Sequence, residues 1–208
     1  MNPPMMNLPK YVPPATTVRA LIAQHARTQP DAVFAMFPET QAELSYKALE
    51  QEVQQYAAQF YALGLAQGDT VSYMMGNGRS ALVLFLSALY AGLIVSPLNP
   101  AAGPEQITYV LQHSDTKLVF VSPNFKAVVD QAQSASAIAI PTVECDEDCG
   151  PVWPQASVSA IKLVPIEPTS DGLLMYTSGT TGRPKGVVLT HENLLAGGMN
   201  TAVAHELT

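Results

Sequence analysis

Charge is what this chain has least of. Only 13% of its 208 residues are Asp, Glu, Lys or Arg, and ten basic residues face seventeen acidic ones, for a formal charge of −7. Nucleic-acid binders carry clustered Lys or Arg on one face, so that class of partner is excluded. Cysteine is nearly as scarce. Cys145 and Cys149 bracket Asp146-Glu147-Asp148, with no histidine nearby, which is too little for a disulfide scaffold or a four-ligand zinc site. We read them as reduced thiols in a solvated loop of a cytoplasmic chain, with no metal site. Also missing is an apolar run of signal-peptide length near Met1. The proline-rich MNPPMMNLPKYVPP reads instead as a surface arm over residues 1–15.

Apolar residues are abundant at 48%, enough for a real core in one domain or part of a larger one. The longest apolar run, Ala81–Leu98, reaches the bare length of a membrane span. Gly92 and Pro97 interrupt it. We expect Ser80 to cap a helix ending near Ala91 and Leu93–Ser96 to form a short buried strand, with no membrane span; peripheral membrane contact stays open.

Periodicity organises the rest. Thr16 or Thr17 is expected to cap a helix whose inner face is Val18, Leu21, Ile22, His25 and Ala26, closed by Pro30. A strand over Ala32–Phe37 follows, then a helix with Leu49, Val53, Tyr56, Ala57, Phe60 and Leu63 on one face and Gly64 at its end. After the Gly68-Asp69 turn the order is strand 71–75, helix 80–91, strand 93–96, helix 104–113, strand 117–121, helix 124–134 and strand 142–144. Such alternation predicts an α/β fold: a mostly parallel sheet with helices on both faces, built with right-handed crossovers. Residues 146–170 read as an irregular connection with a short strand near Ile161–Val164, leading into the start of a second group of strands.

Some polar residues attract no special role. Gly76-Asn77-Gly78 reads as a plain tight turn, and Glu50 and Glu52 as solvated carboxylates on opposite sides of a helix. His191 reads as a helix-entry or surface residue, Tyr176 as a strand residue that steadies the neighbouring turn, and His25, His113 and His205 as ordinary helical positions. No G-x-S-x-G nucleophile elbow is present.

The stretch LLMYTSGTTGRPKGVV, Leu173–Val188, is different. Gly179 and Gly182 let successive backbone N–H groups converge on an anion. Thr177, Ser178, Thr180 and Thr181 add hydroxyl donors. Lys185 brings an ammonium, Arg183 a second cation, and Pro184 stiffens the turn between them. The spacing is not that of a P-loop, because the lysine leads into a strand-like Gly186–Leu189 rather than a helix. The loop is therefore expected to join two strands and to hold phosphates through amides, hydroxyls and Lys185, without a helix dipole.

Here the chain resembles the acyl-adenylate-forming enzymes: acyl-CoA and aryl-CoA synthetases, peptide-synthetase adenylation domains and luciferases. YTSGTTGRPKGV is similar to their phosphate-loop signature, and Asp171 and Leu189-Thr190-His191 to its flanks. LSYKALEQEVQQYAAQFYALGLAQGDTV, Leu44–Val71, and AGLIVSPLNP, Ala91–Pro100, resemble earlier family segments, and Asn99 fits the CoA ligases better than the peptide synthetases. The likeness runs from about Thr16 to the end.

The resemblance implies the incomplete large N-terminal domain of an ATP-dependent, AMP-forming ligase that turns a carboxylic acid, fatty acids being the commonest choice, into an acyl-adenylate and then a CoA thioester. An amino or aryl acid is the alternative substrate, and a non-catalytic nucleotide-binding or interaction fragment the alternative role. ATP, Mg2+ and CoA are the implied cofactors, with Thr177, Ser178, Gly179, Thr180, Thr181, Gly182 and Lys185 around the β- and γ-phosphates. The family's catalytic lysine has no counterpart in these residues, so the 208-residue chain alone is expected to form no acyl-adenylate and to need the remainder of the enzyme as its partner. The expected division is an arm over 1–15, an α/β subdomain over 16–145, a connection over 146–170, and the phosphate-loop hairpin with its helix over 171–208.

Overall fold

A computed structural model describes residues 13–136, 139–154, 162–177 and 183–206; of the expected arm over 1–15, residues 1–12 lie outside them. In chain order the elements are α1 (Val18–Thr28), β1 (Val33–Phe37), β2 (Ala42–Ser45), α2 (Tyr46–Ala62), β3 (Thr70–Met74), α3 (Arg79–Ala91), β4 (Ile94–Pro97) and α4 (Pro104–His113). They continue with β5 (Thr116–Val121), α5 (Lys126–Ser136), β6 (Thr142–Asp146), β7 (Gly150–Pro151), β8 (Asp171–Thr177), β9 (Lys185–Thr190) and α6 (His191–Ala204).

Local chemistry sets the helix ends. Thr17 has extended backbone and its hydroxyl accepts the Ala20 N–H at 3.1 Å, opening α1. Ser45 does the same for α2 through Ala48 N–H at 3.3 Å, and Gly64, with φ +87°, follows the C-cap residue Leu63. Ser80 does not cap α3. Gly78 holds that position, and the Ser80 N–H donates instead to the Glu147 carbonyl at 2.9 Å, so a neighbouring backbone satisfies the amide that a side-chain cap would serve. Gly92, left-handed at φ +81°, ends α3 inside the long apolar run. Among the described residues no helix is long and apolar enough to cross a membrane.

Seven strands form one sheet in the order β7-β6-β5-β3-β4-β8-β9. β6, β5, β3, β4 and β8 are parallel, and the two edge strands β7 and β9 run antiparallel to their neighbours. The phosphate-loop strands, read as the start of a second group, adjoin the first through the single register pair Val95↔Leu173. β1 and β2 form a separate antiparallel hairpin.

Strand alternation splits the core in two. Leu118 and Phe120 of β5 pack with Leu49, Phe60, Val83 and Leu84 from α2 and α3, whereas Val119 and Val121 pack with Ile107, Leu111 and Val129 from α4 and α5. Phe60, Phe120 and Trp153 meet edge to face with centroids 5.7–5.9 Å apart, which fastens the chain after β7 to the core.

Three further expectations are revised. No strand forms over Lys162–Val164, while Ile161 lies outside the described residues. Carbonyls there are served by side chains rather than a ladder: Arg19 Nη1 donates to Val164 O at 2.7 Å and Gln67 Nε2 to Pro165 O at 2.8 Å. Cys145 is not in a solvated loop. It is a fully buried residue of β6 whose thiol is pushed up to about 12 by burial; only Cys149 is exposed, and both are free thiols. Glu52 is only partly solvated, because its carboxylate receives Arg79 through two hydrogen bonds of 2.9 and 2.6 Å.

Candidate phosphate-loop site

The loop sits on a hairpin, as its composition predicts. β8 and β9 pair antiparallel from Asp171↔Thr190 to Thr177↔Lys185, the last pair before the turn. Thr177, Arg183 and Lys185 are exposed at this mouth; Ser178, Gly179, Thr180, Thr181 and Gly182 lie outside the described residues. Lys185 makes no ion pair among the described residues. β9 then carries the chain away from the mouth for five residues, roughly 17 Å of strand, before α6 begins with a capping box between Thr190 and Asn193. The α6 dipole therefore does not reach the mouth.

A cleft of about 100 Å³ separates the mouth from the segment after β4. Tyr176, Thr177 and Pro184 line one side, and Leu98, Asn99 and Gln106 the other. The Asn99 side chain accepts the Ala101 N–H at 3.0 Å, which holds the turn into α4. Asn99 and Gln106 were not legible as cleft residues, since only the β4–β8 pairing brings them to the hairpin. The Tyr176 hydroxyl lies 2.8 Å from His113 Nδ1, a contact that nothing in the sequence signals.

Two other candidates do not line this cleft. His191 is fully buried rather than at the surface: its Nδ1 accepts the Val18 N–H at 3.3 Å, and its Nε2 has no partner among the described residues. Burial, aided by the positive Arg19, pushes its pKa down to about 4 and keeps it neutral. Gly76-Asn77-Gly78 is a turn beside the ends of β3 and β5, where open α/β sheets commonly bind ligands. Glu147 fills that place: its Oε1 accepts from Gly76 N–H and from the Ser122 hydroxyl, each at 3.0 Å.

The sequence profile of the AMP-binding enzymes matches residues 22–207. The chain is 38% identical over 191 residues, 91% of its length, to a sulfoacetate–CoA ligase of Cupriavidus necator, and 32% identical over 168 residues, 76% of its length, to a crotonobetaine/carnitine–CoA ligase of Escherichia fergusonii. It spans only 38% and 32% of those two proteins. Its fold is similar to that of a fatty acyl-adenylate ligase from Legionella pneumophila, solved with acyl adenylate and pyrophosphate, with a TM-score of 0.75 at 22% identity over 94% of this chain and 34% of that one. The chain belongs to the AMP-binding enzyme family, and its fold is that of the N-terminal region of adenylating enzymes.

Proposed function

We propose that this chain is the part of an AMP-forming acid–CoA ligase that grips the outer phosphates of ATP. The observation that carries this reading is the β8–β9 hairpin, whose hydroxyl- and glycine-rich turn is closed by the pair Thr177 and Lys185 in a chain of this family. Residues 171–208 are proposed as the nucleotide-binding hairpin and helix, 16–145 as the α/β platform and 146–170 as the connection between them.

In the proposed reaction a carboxylate oxygen of the acid attacks the α-phosphorus of ATP, the bond to the β-phosphate oxygen breaks, and pyrophosphate leaves with the electron pair. The sulfur of CoA then attacks the acyl carbonyl and AMP departs. The amides and hydroxyls of Thr177–Gly182 and the Lys185 ammonium would stabilise the charge that moves onto pyrophosphate. Among the described residues no cluster of acidic or histidine side chains fits a magnesium ion; a magnesium ion carried on the nucleotide would neutralise phosphate charge.

For the acid, the named CoA ligases at 38% and 32% identity support a small polar carboxylate ahead of a fatty acid. Calorimetry with Mg-ATP tests the phosphate assignment. Wild type should bind and Lys185→Ala should bind roughly tenfold or more weakly; equal binding by the two, or no heat from either, would discard it.

A further inference from the structure

We propose that Tyr176 and His113 form an anchor that sets where the phosphate-loop hairpin stands against α4, and that both are positioning residues for the bound nucleotide. The proposal rests on the function given above; Tyr176 opens the signature stretch, whereas His113 lies outside it on α4.

β8 is registered to the parallel sheet only at Val95↔Leu173. Tyr176 lies three residues further on, roughly 10 Å along the strand, where a cleft has opened between Thr177 and Asn99. On its other side the hairpin ends in the edge strand β9, whose Val187 and Val188 are exposed. The β4–β8 ladder thus ends before the loop begins.

Across this gap the Tyr176 hydroxyl meets His113 Nδ1 at 2.8 Å, from the last residue of α4. Neighbours fix both rings. Tyr176 pairs with Gly186 across the hairpin, where a Cβ would crowd Leu174 Cδ1 at 3.2 Å and stand at ordinary contact distance, 3.5 Å, from Tyr176 Cε1. His113 is flanked by Tyr109, with centroids 5.3 Å apart, and meets Tyr176 edge-on at 5.7 Å and 83°. Burial raises the phenol pKa, so the Tyr176 hydroxyl stays protonated beside the imidazole.

Tyr176 directly precedes Thr177, and Thr177 faces Lys185 across the hairpin. A hydrogen bond that fixes Tyr176 therefore fixes the two residues that begin and end the phosphate grip. Small misplacements of such groups are costly for a reaction that depends on orientation.

The test uses the full 208-residue chain with Tyr176→Phe, His113→Leu, the double variant and His113→Gln. Amide hydrogen exchange at Thr177 and Lys185 should accelerate in both single variants, and Mg-ATP binding should weaken roughly 2- to 10-fold. The double variant should lose no more than either single, His113→Gln should recover most of the binding by keeping a hydrogen-bonding partner for the Tyr176 hydroxyl, and melting temperatures should stay within about 2 °C. Unchanged exchange in Tyr176→Phe, or additive losses in the double variant, would overturn the anchor even with Mg-ATP binding intact. Faster exchange in both singles, with wild type and Lys185→Ala indistinguishable toward Mg-ATP, would uphold the anchor and remove the nucleotide assignment instead.

Discussion

A Cβ placed on Gly78 would stand 2.7 Å from the backbone oxygen of Glu147. Backbone cannot yield as a flexible side chain can. Gly78→Ala should therefore destabilise the fold by about 1–3 kcal/mol. Gly76→Ala, whose new atom would meet the Glu147 carboxylate at 3.0 Å, should cost less. Urea midpoints of the two variants check the order.

His191 predicts an acid-side loss of stability. Its folded pKa, about 4, lies below the ordinary 6.5, so the unfolded chain takes up the proton first as pH falls. Its contribution is constant above about 6.5 and declines between 6.5 and 4. In His191→Gln the fall in urea midpoint from pH 7 to pH 5 should be shallower than in wild type.

The Glu52–Arg79 pair joins α2 to α3 through two hydrogen bonds while both side chains stay partly exposed. Arg79→Lys loses the fork and should cost about 0.5–1 kcal/mol. The difference from wild type should shrink in 1 M salt. Unfolding curves at two salt concentrations measure both effects.

Phe60 is fully buried and touches both Phe120 and Trp153 edge-on. Phe60→Ala should cost about 3–5 kcal/mol through lost burial and the cavity left behind. Chemical denaturation followed by fluorescence would register the loss, and a cost under about 1 kcal/mol would contradict this packing.

Elements with a local cause were legible. Thr17 and the apolar face of α2 announce helices, and the glycines and Lys185 announce the hairpin turn that β8 and β9 then supply. Missed features are either very short or depend on residues outside their own element. β2 is four residues long and stands out only once β1 pairs with it, and β7 has just two residues. Cys145 and Glu52 look soluble in sequence, yet β6 turns the first inward and Arg79 claims the second. The Tyr176–His113 contact spans 63 positions and carries no periodic signature. His191 was placed at a helix start but not in the interior, because Val18, its partner, lies 173 residues away.

The two thiols of this chain differ sharply in accessibility. A maleimide or nitroxide reagent should attach at Cys149 and spare the interior Cys145, giving a homogeneous adduct without any substitution. The Asp146 carboxylate, hydrogen-bonded to Cys149, holds that thiol protonated, so the coupling should speed up in mildly alkaline buffer. Because Cys149 and the sole tryptophan, Trp153, border the same surface hollow, a dye on the cysteine would quench or accept tryptophan emission and report opening of the β6–β7 edge in real time.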